Sequence, residues 1–132
     1  MADTRDPRNT YRTVTPYLLV ADADAELTFL KAAFGGTEHS SQRNPDNTVA
    51  HAEIMVGDSL VMVGQSGGSW QPRTGALYLW VDDVDAMYAK AIKAGAKSEM
   101  EPEDKPYGHR NAGVIDQNGV TWWIGAPVEQ KR

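Results

Sequence analysis

The order of apolar and polar residues repeats once along the chain. An apolar segment, YLLVADADA, begins at Tyr17, and a matching segment, YLWVDDVDA, begins at Tyr78. In both, a short run of strand-forming residues is followed by closely spaced aspartates, so each run predicts a strand that leads into a new element. The shared order indicates two copies of one structural unit.

Each copy continues with apolar residues at the spacing of an amphipathic helix. Acidic residues precede both helical stripes and are expected to cap them by accepting hydrogen bonds from free backbone N–H groups. The candidate caps are Asp22 or Asp24 in the first copy and Asp83 or Asp85 in the second. Glycines follow both stripes and predict where the helices end. These are Gly35 with Gly36, and Gly95.

After each helix the apolar residues recur at every second position, which is typical of strands. Turn residues divide these stretches into segments near 37–43, 49–57, 59–65, 97–102, 109–116 and 120–126. Each half therefore has the order βαβββ. The sequence predicts an α+β fold of two tandem βαβββ modules.

The modules fit within one domain at residues 13–128. Module 1 covers about 14–65 and module 2 about 76–126. The segment SGGSWQPRTG at 66–75 is rich in glycine and predicts a linker. Residues 1–12 alternate charged side chains around Pro7 and are expected to form a flexible tail.

Composition removes several classes of function. The chain has 132 residues, no cysteine and a net charge of -5, which excludes thiolate chemistry and disfavours nucleic acid as a partner. No apolar run reaches the roughly 18 to 20 residues that cross a bilayer, and the first residues lack the apolar stretch of a signal peptide. We therefore expect a cytoplasmic protein without a membrane partner.

The doubled pattern resembles the vicinal oxygen chelate superfamily, which includes glyoxalase I, fosfomycin resistance enzymes, extradiol dioxygenases and bleomycin resistance proteins. The resemblance covers residues 14–126 and is strongest with the PhnB-like, or glyoxalase/bleomycin resistance, branch. It rests on the segments PYLLVADADAELTFLKAAFGG, VAHAEIMVGDSLVMV, VDDVDAMYAKAIKAGA and PYGHRNAGVIDQNGVTWWI. It implies mixed sheets curled around a cleft, with helices on the outside, and a homodimer in which the partner completes the cleft.

Metal-dependent members of this superfamily hold their ion with His or Gln on the first and fifth strands and Glu on the fourth and eighth. The matching positions of this sequence carry Thr15, Ala76, Val63 and Trp123. A shift of one residue on the fourth or eighth strand still supplies no imidazole or carboxylate. The resemblance therefore implies no metal site, and no cofactor is expected.

If the superfamily's ligand positions mark the inner face, side-chain alternation predicts what lines the cleft. Aromatic residues dominate this set, with Trp70 of the linker as a candidate lid. The predicted ligand-binding residues are Tyr17, His51, Glu53, Trp70, Tyr78, Trp80 and Trp123. The same alternation puts Val61, Val63 and Gln65 in the cleft, and Ala50, Leu60 and Met62 under the helices.

Each of these residues also has a purely structural interpretation. The aromatic residues are equally typical of plain packing or of a dimer interface, and His51 with Glu53 of a polar pair that supports the sheet. Asp82, Asp83 and Asp85 are expected near a helix start, where carboxylates are favoured. Arg110 is expected to form a structural ion pair, with orientation of an acidic ligand as the alternative, and His39 and His109 are expected to be ordinary surface histidines.

The leading hypothesis is a metal-free protein that binds and sequesters a planar aromatic or cationic small molecule, such as an antibiotic, in a homodimer cleft. The alternative is a glyoxalase-like lyase, isomerase or dioxygenase in which His51 and Glu53 act as acid and base or belong to an unconventional metal site. A third possibility is a dimeric accessory protein whose aromatic residues form the interface. The sequence leaves open whether the protein is an enzyme.

Overall fold

The structure, a computed structural model, describes residues 12–128. The predicted tail at 1–12 therefore lies outside the described residues, apart from Arg12. The elements follow the order β1 (Tyr17–Val20), α1 (Ala23–Phe34), β2 (Thr37–Arg43), β3 (Val49–Val56), β4 (Ser59–Gln65), β5 (Ala76–Trp80), α2 (Val84–Lys93), β6 (Lys97–Asp104), β7 (His109–Ile115) and β8 (Thr121–Pro127). Every predicted strand is present, with bounds within two residues of those expected.

The strands form two four-stranded sheets of the same topology. Their orders are β1-β4-β3-β2 and β5-β8-β7-β6. In each sheet the first strand along the chain pairs in parallel with the last one along the chain, β1 with β4 and β5 with β8. The other neighbouring strands are antiparallel. The predicted α+β class with two βαβββ modules is confirmed.

Local capping fixes both helices as the sequence indicated. The Oδ1 atom of Asp22 accepts a hydrogen bond of 3.0 Å from the backbone N–H of Ala25, and Asp83 does the same for Ala86. Of the alternatives offered by the sequence, Asp22 and Asp83 are thus the caps. Helix α1 ends at Gly35, whose φ of 70° lies in the left-handed region that glycine adopts without a Cβ clash.

The two modules share one hydrophobic core. Both helices pack on one face of the sheets, the helix-covered face, and contact each other. Phe34 of α1 meets Trp122 of β8 edge to face, with ring centroids 5.1 Å apart, so the first module packs directly on the second. The opposite face of each sheet, which we call the open face, points away from this core.

The register of β4 differs from the sequence-based expectation. Tyr17 pairs with Met62, as Tyr78 pairs with Trp123. Met62 therefore shares the open face with Tyr17, whereas Val63 pairs with Leu18 and is completely buried under α1. The predicted inward positions of Val61 and Val63 were wrong, as were the predicted helix-side positions of Leu60 and Met62. Gln65 pairs with Val20 at the end of the strand and lines a cavity together with Tyr17.

The error has a physical cause in the hairpins. Two residues join the last pair of the β3–β4 hairpin, Val56 and Ser59, whereas five residues lie between the corresponding pair of the β7–β8 hairpin, Ile115 and Thr121. Loop length sets strand register, and a slip of one residue exchanges the two faces. Aligning the two turns by composition therefore shifted β4 by one residue.

Ala50 is also placed differently from the expectation. His51 pairs with Gln42 and Val49 pairs with Arg43, which leaves Ala50 as the extra residue of a β-bulge. Ala50 is consequently exposed and reaches the open side of the sheet instead of the space under the helix.

Helices α1 and α2 are both too short and too polar to cross a bilayer, and no other helix occurs in residues 12–128.

Candidate functional site

The predicted site residues fall into two groups, one on the open face of each sheet. The first cluster comprises Tyr17, His51 and Glu53, with Trp70 nearby in the linker. The second cluster comprises Tyr78, Trp80 and Trp123. Within residues 12–128, no ring contact joins the two clusters.

The first cluster combines an aromatic ring with a polar pair. Tyr17 is 53% exposed, and its ring meets that of His51 at 5.6 Å in an edge-on arrangement. His51 Nε2 lies 3.0 Å from Glu53 Oε2, while Ser40 Oγ donates to the other carboxylate oxygen at 3.4 Å. The Glu53 carboxylate is buried, so this cluster has an accessible aromatic ring above a fixed carboxylate.

A cavity of about 590 Å³ adjoins the first cluster. Its size lies within the range of small-molecule sites. Tyr17, Leu19 and Ala50 line it from the sheet, and Trp70 lines it from the linker, where its side chain is 71% exposed. A lid role for Trp70 stays a prediction.

The second cluster is larger than the sequence indicated. The rings of Tyr78 and Trp80 lie 4.7 Å apart, and His109 contacts Trp80 edge to face at 4.9 Å. Tyr107 also contacts His109 edge to face, at 5.3 Å. His109, expected as an ordinary surface histidine, is half-buried, and its ring contacts two aromatic side chains of this cluster.

Asn111 connects the members of the second cluster. Its Nδ2 lies 3.0 Å from Tyr107 Oη and 3.3 Å from Tyr78 Oη, and the residue is buried. Sequence reasoning overlooked Tyr107 and Asn111. The signal was available in β7, where residues 109, 111 and 113 alternate onto the same face as Trp123.

Glycines give the two open-face tyrosines equivalent positions. The hydroxyl of Tyr17 lies over Gly64, where an added Cβ would be only 3.1 Å from it. Tyr78 lies over Gly125 in the same way, and a Cβ on Gly125 would clash with its ring and hydroxyl. The internal repeat thus extends to the positions and contacts of individual side chains.

The corrected register changes one of the four superfamily ligand positions. These positions now carry Thr15, Met62, Ala76 and Trp123. A divalent ion needs several converging imidazole or carboxylate donors, which these side chains do not supply. Within residues 12–128, no three His, Asp or Glu side chains converge as such donors. The residues at this place do not fit the superfamily's metal.

The charged residues of module 2 form structural pairs away from the aromatic clusters. Arg110 makes a two-pronged contact with Asp85, at 2.8 and 3.1 Å, and a third contact with Asp104. Hydrogen bonding by this guanidinium lowers the pKa of the Asp85 carboxyl. The expected structural role of Arg110 is confirmed.

Comparison with known proteins agrees with the geometry. The family described as the glyoxalase/bleomycin resistance protein/dioxygenase superfamily matches residues 12–124. The chain belongs to this superfamily. Whether this superfamily member falls in the PhnB-like branch stays a prediction.

Several relatives of this superfamily member cover most of the chain. The Mycobacterium tuberculosis protein Rv0887c is 30% identical over 128 residues, which cover 89% of this chain and 75% of the relative. The crystal structure of TioX from Micromonospora sp. ML1 is 26% identical with a TM-score of 0.76, covering 89% of this chain and 99% of that one. Fosfomycin resistance protein FosX from Mesorhizobium loti has the same fold, at 15% identity, a TM-score of 0.65 and coverage of 89% and 92%.

Proposed function

We propose that this superfamily member is a metal-free binding protein that sequesters a planar aromatic compound, with antibiotics as candidate ligands. The observation that supports this most directly is the exposure of the aromatic residues on the open faces. Tyr17, Tyr78 and Trp80 are 53%, 42% and 57% exposed, so packing within the chain does not account for them. Such rings offer stacking surfaces that add about 0.5 to 1.5 kcal/mol beyond the burial of area.

The proposed binding unit is a homodimer. The two clusters lie on the open faces of different sheets, and the opposite face of each sheet is covered by the shared core. A second copy that laid its second cluster over the first cluster would enclose the cavity at Tyr17 and bury both sets of exposed rings. Large exposed apolar side chains that lie close together are typical of ligand or subunit interfaces.

Sequestration in the cytoplasm requires binding alone. A protein that holds a drug lowers the free drug concentration without any chemical step. The superfamily description includes bleomycin resistance proteins, which supports this function as a candidate. The described residues also lack the metal donors on which many of the superfamily's reactions depend.

Calorimetric titration of the full chain with the cationic compounds bleomycin and daunorubicin and with the aromatic carboxylic acid nalidixic acid tests the proposal, with fosfomycin as a compound lacking aromatic rings. We expect saturable binding of an aromatic compound that weakens about three- to tenfold in Trp123→Leu, in line with the loss of one stacking contact. Tyr88→Phe is the matched control, because Tyr88 lies on α2 and donates its hydroxyl to Ser98. Absence of saturable binding, or equal loss in both variants, would contradict sequestration.

A second candidate function is catalysis by His51 and Glu53. Their contact of 3.0 Å on the open face is a geometry suited to proton transfer. In a glyoxalase-like lyase, isomerase or dioxygenase, this pair would act on a substrate in the adjoining cavity. Elemental analysis of protein purified without chelator decides for the enzyme if it finds near-stoichiometric divalent ion that is lost in His51→Ala.

A further inference from the structure

The linker extends the first sheet at its free edge. Arg73 and Leu19 form an antiparallel bridge, in which Arg73 N–H donates to Leu19 O at 2.7 Å and Leu19 N–H donates to Arg73 O at 3.1 Å. Directly opposed residues in such a bridge place their side chains on the same face. Because Leu19 lies on the open face, Arg73 projects there too, and both residues line the cavity.

The Arg73 side chain differs from those of two other arginines on the sheets. Arg43 is paired with Asp24, and Arg110 with Asp85 and Asp104. For Arg73, the described residues supply one contact, to the carbonyl of neighbouring Pro72 at 3.1 Å, and no carboxylate within 4.0 Å. Most donors of its planar guanidinium are therefore available to a ligand.

The rest of the cavity complements an anion beside an aromatic ring. Among residues 12–128, none of those lining the cavity is acidic, and Ser69 and Gln71 add polar groups on the linker side, near Arg73 in the chain. Tyr17 and Trp70 provide aromatic surfaces on the same cavity. The local charge is thus positive, opposite to the net charge of -5 that favours cations at long range.

We propose that Arg73 is the specificity residue of this cavity and that the ligand is an aromatic acid. The carboxylate of this ligand would accept two parallel hydrogen bonds from the Arg73 guanidinium, while the ring of the ligand lies against Tyr17 and Trp70. Arginine suits this role because its fork matches a carboxylate, whereas lysine offers only a point charge. This inference rests on the proposed binding function and specifies its ligand class.

The test compares three probes that share one ring system and differ in charge: naphthoate, naphthalenemethanol and naphthylmethylammonium. Each is titrated calorimetrically into the full chain. We expect naphthoate to bind about tenfold or more tighter than the neutral alcohol, as a charge-assisted hydrogen bond allows. Arg73→Gln should remove this preference and leave binding of the alcohol nearly unchanged, and Arg73→Lys should retain only part of it.

Lys97→Gln provides the matched control. It removes the same charge from an exposed position on β6, so retention of the naphthoate preference there separates a local contact from net charge. Equal binding of the alcohol and naphthoate, tighter binding of the ammonium probe, or an unchanged preference in Arg73→Gln would overturn the inference while leaving aromatic binding intact. If none of the three probes binds the wild-type chain, the inference and the proposed function at this cavity both fail.

A second measurement on the wild-type chain does not depend on any variant. Raising the salt concentration should weaken naphthoate binding and leave the alcohol unaffected, since ionic screening acts on the charged contact alone. A salt-independent affinity for naphthoate would count against the guanidinium contact.

Discussion

The side-chain amide of Asn118 donates a hydrogen bond of 3.0 Å to Oε1 of Glu26, a residue that is 1% exposed. Asn118 belongs to the β7–β8 loop of module 2, and Glu26 to helix α1 of module 1. The same amide also donates to the carbonyl of Asp22 at 2.8 Å and accepts from the Asp22 N–H at 2.9 Å. One side chain therefore joins the modules at the start of α1.

Glu26 is held next to a second buried acid. Burial raises the pKa of Glu26 to about 9, and the neighbouring acid Asp116 acts in the same direction. Asp116 accepts hydrogen bonds from Trp122 Nε1 at 2.9 Å and from the backbone N–H groups of Asn118 and Val120. At neutral pH the arrangement is thus a protonated Glu26 beside an acid surrounded by N–H donors.

The raised pKa of Glu26 predicts that the free energy of unfolding falls as the pH rises. The folded chain keeps the Glu26 proton up to about pH 9, whereas the unfolded chain releases it near the ordinary value of 4.5. The stability that this proton supplies is complete below the unfolded pKa and is lost as pH rises through the folded pKa. The slope from this one group has an upper limit of about 1.4 kcal/mol per pH unit.

Glu26→Gln should remove that dependence, because glutamine is neutral at every pH. Urea unfolding at pH 5, 6, 7 and 8 measures the free energy of unfolding of both proteins, and the difference should move in favour of the variant as pH rises. Glu99→Gln, at an exposed site on β6, controls for loss of a carboxyl. A difference that stays constant with pH would show that Glu26 is already ionised in the folded chain.

Removing the inter-module amide should destabilise the fold. Asn118→Ala leaves Glu26 Oε1 buried without this donor and frees the Asp22 backbone groups, so we expect a loss of about 2 kcal/mol or more. Gln117→Ala, in the same loop, removes one long contact to the Ala94 carbonyl at 3.4 Å and should cost less than about 0.5 kcal/mol. Thermal or urea unfolding compares the two, and similar losses would refute the bridging role.

The close contact between the Tyr78 side chain and Gly125 leads to a third prediction. In Gly125→Ala the new Cβ meets the tyrosine ring, and we expect destabilisation of about 1 to 3 kcal/mol together with a displaced Tyr78. Gly75→Ala is the control, because no atom lies within 4 Å of its added Cβ. Unfolding and the near-ultraviolet circular dichroism of the tyrosine measure both effects. An unaltered spectrum with full stability would mean that the ring moves freely.

The proposed dimer predicts a particle of twice 14.5 kDa in sedimentation velocity. Tyr78→Asp places a charge in the second cluster and should shift the protein to the monomer, because an unpaired carboxylate would be buried at the interface. Thr28→Asp adds the same charge at an exposed position on α1 and should leave the dimer intact. A monomeric wild-type chain at micromolar concentration would exclude the dimer.

The sequence by itself determined the elements of this protein. The caps, narrowed to Asp22 or Asp24 and to Asp83 or Asp85, the stop at Gly35 and the alternation of each strand are local, since each depends on residues only a few positions apart. The repeat at Tyr17 and Tyr78 also predicted the βαβββ order, and the superfamily resemblance implied that these two rings share the open face. For β5 and β8 the predicted alternation held in full.

Only the tertiary structure decided the relations between distant segments. Pairing or burial among residues far apart in the chain determines four features. These are the register of β4, the bulge at Ala50, the protonation of Glu26 and the position of Arg73 at the cavity. A slip of one residue leaves the local hydrophobic pattern almost unchanged and yet exchanges the faces of a strand. Long-range backbone pairing therefore determined which side chains meet in the cavity.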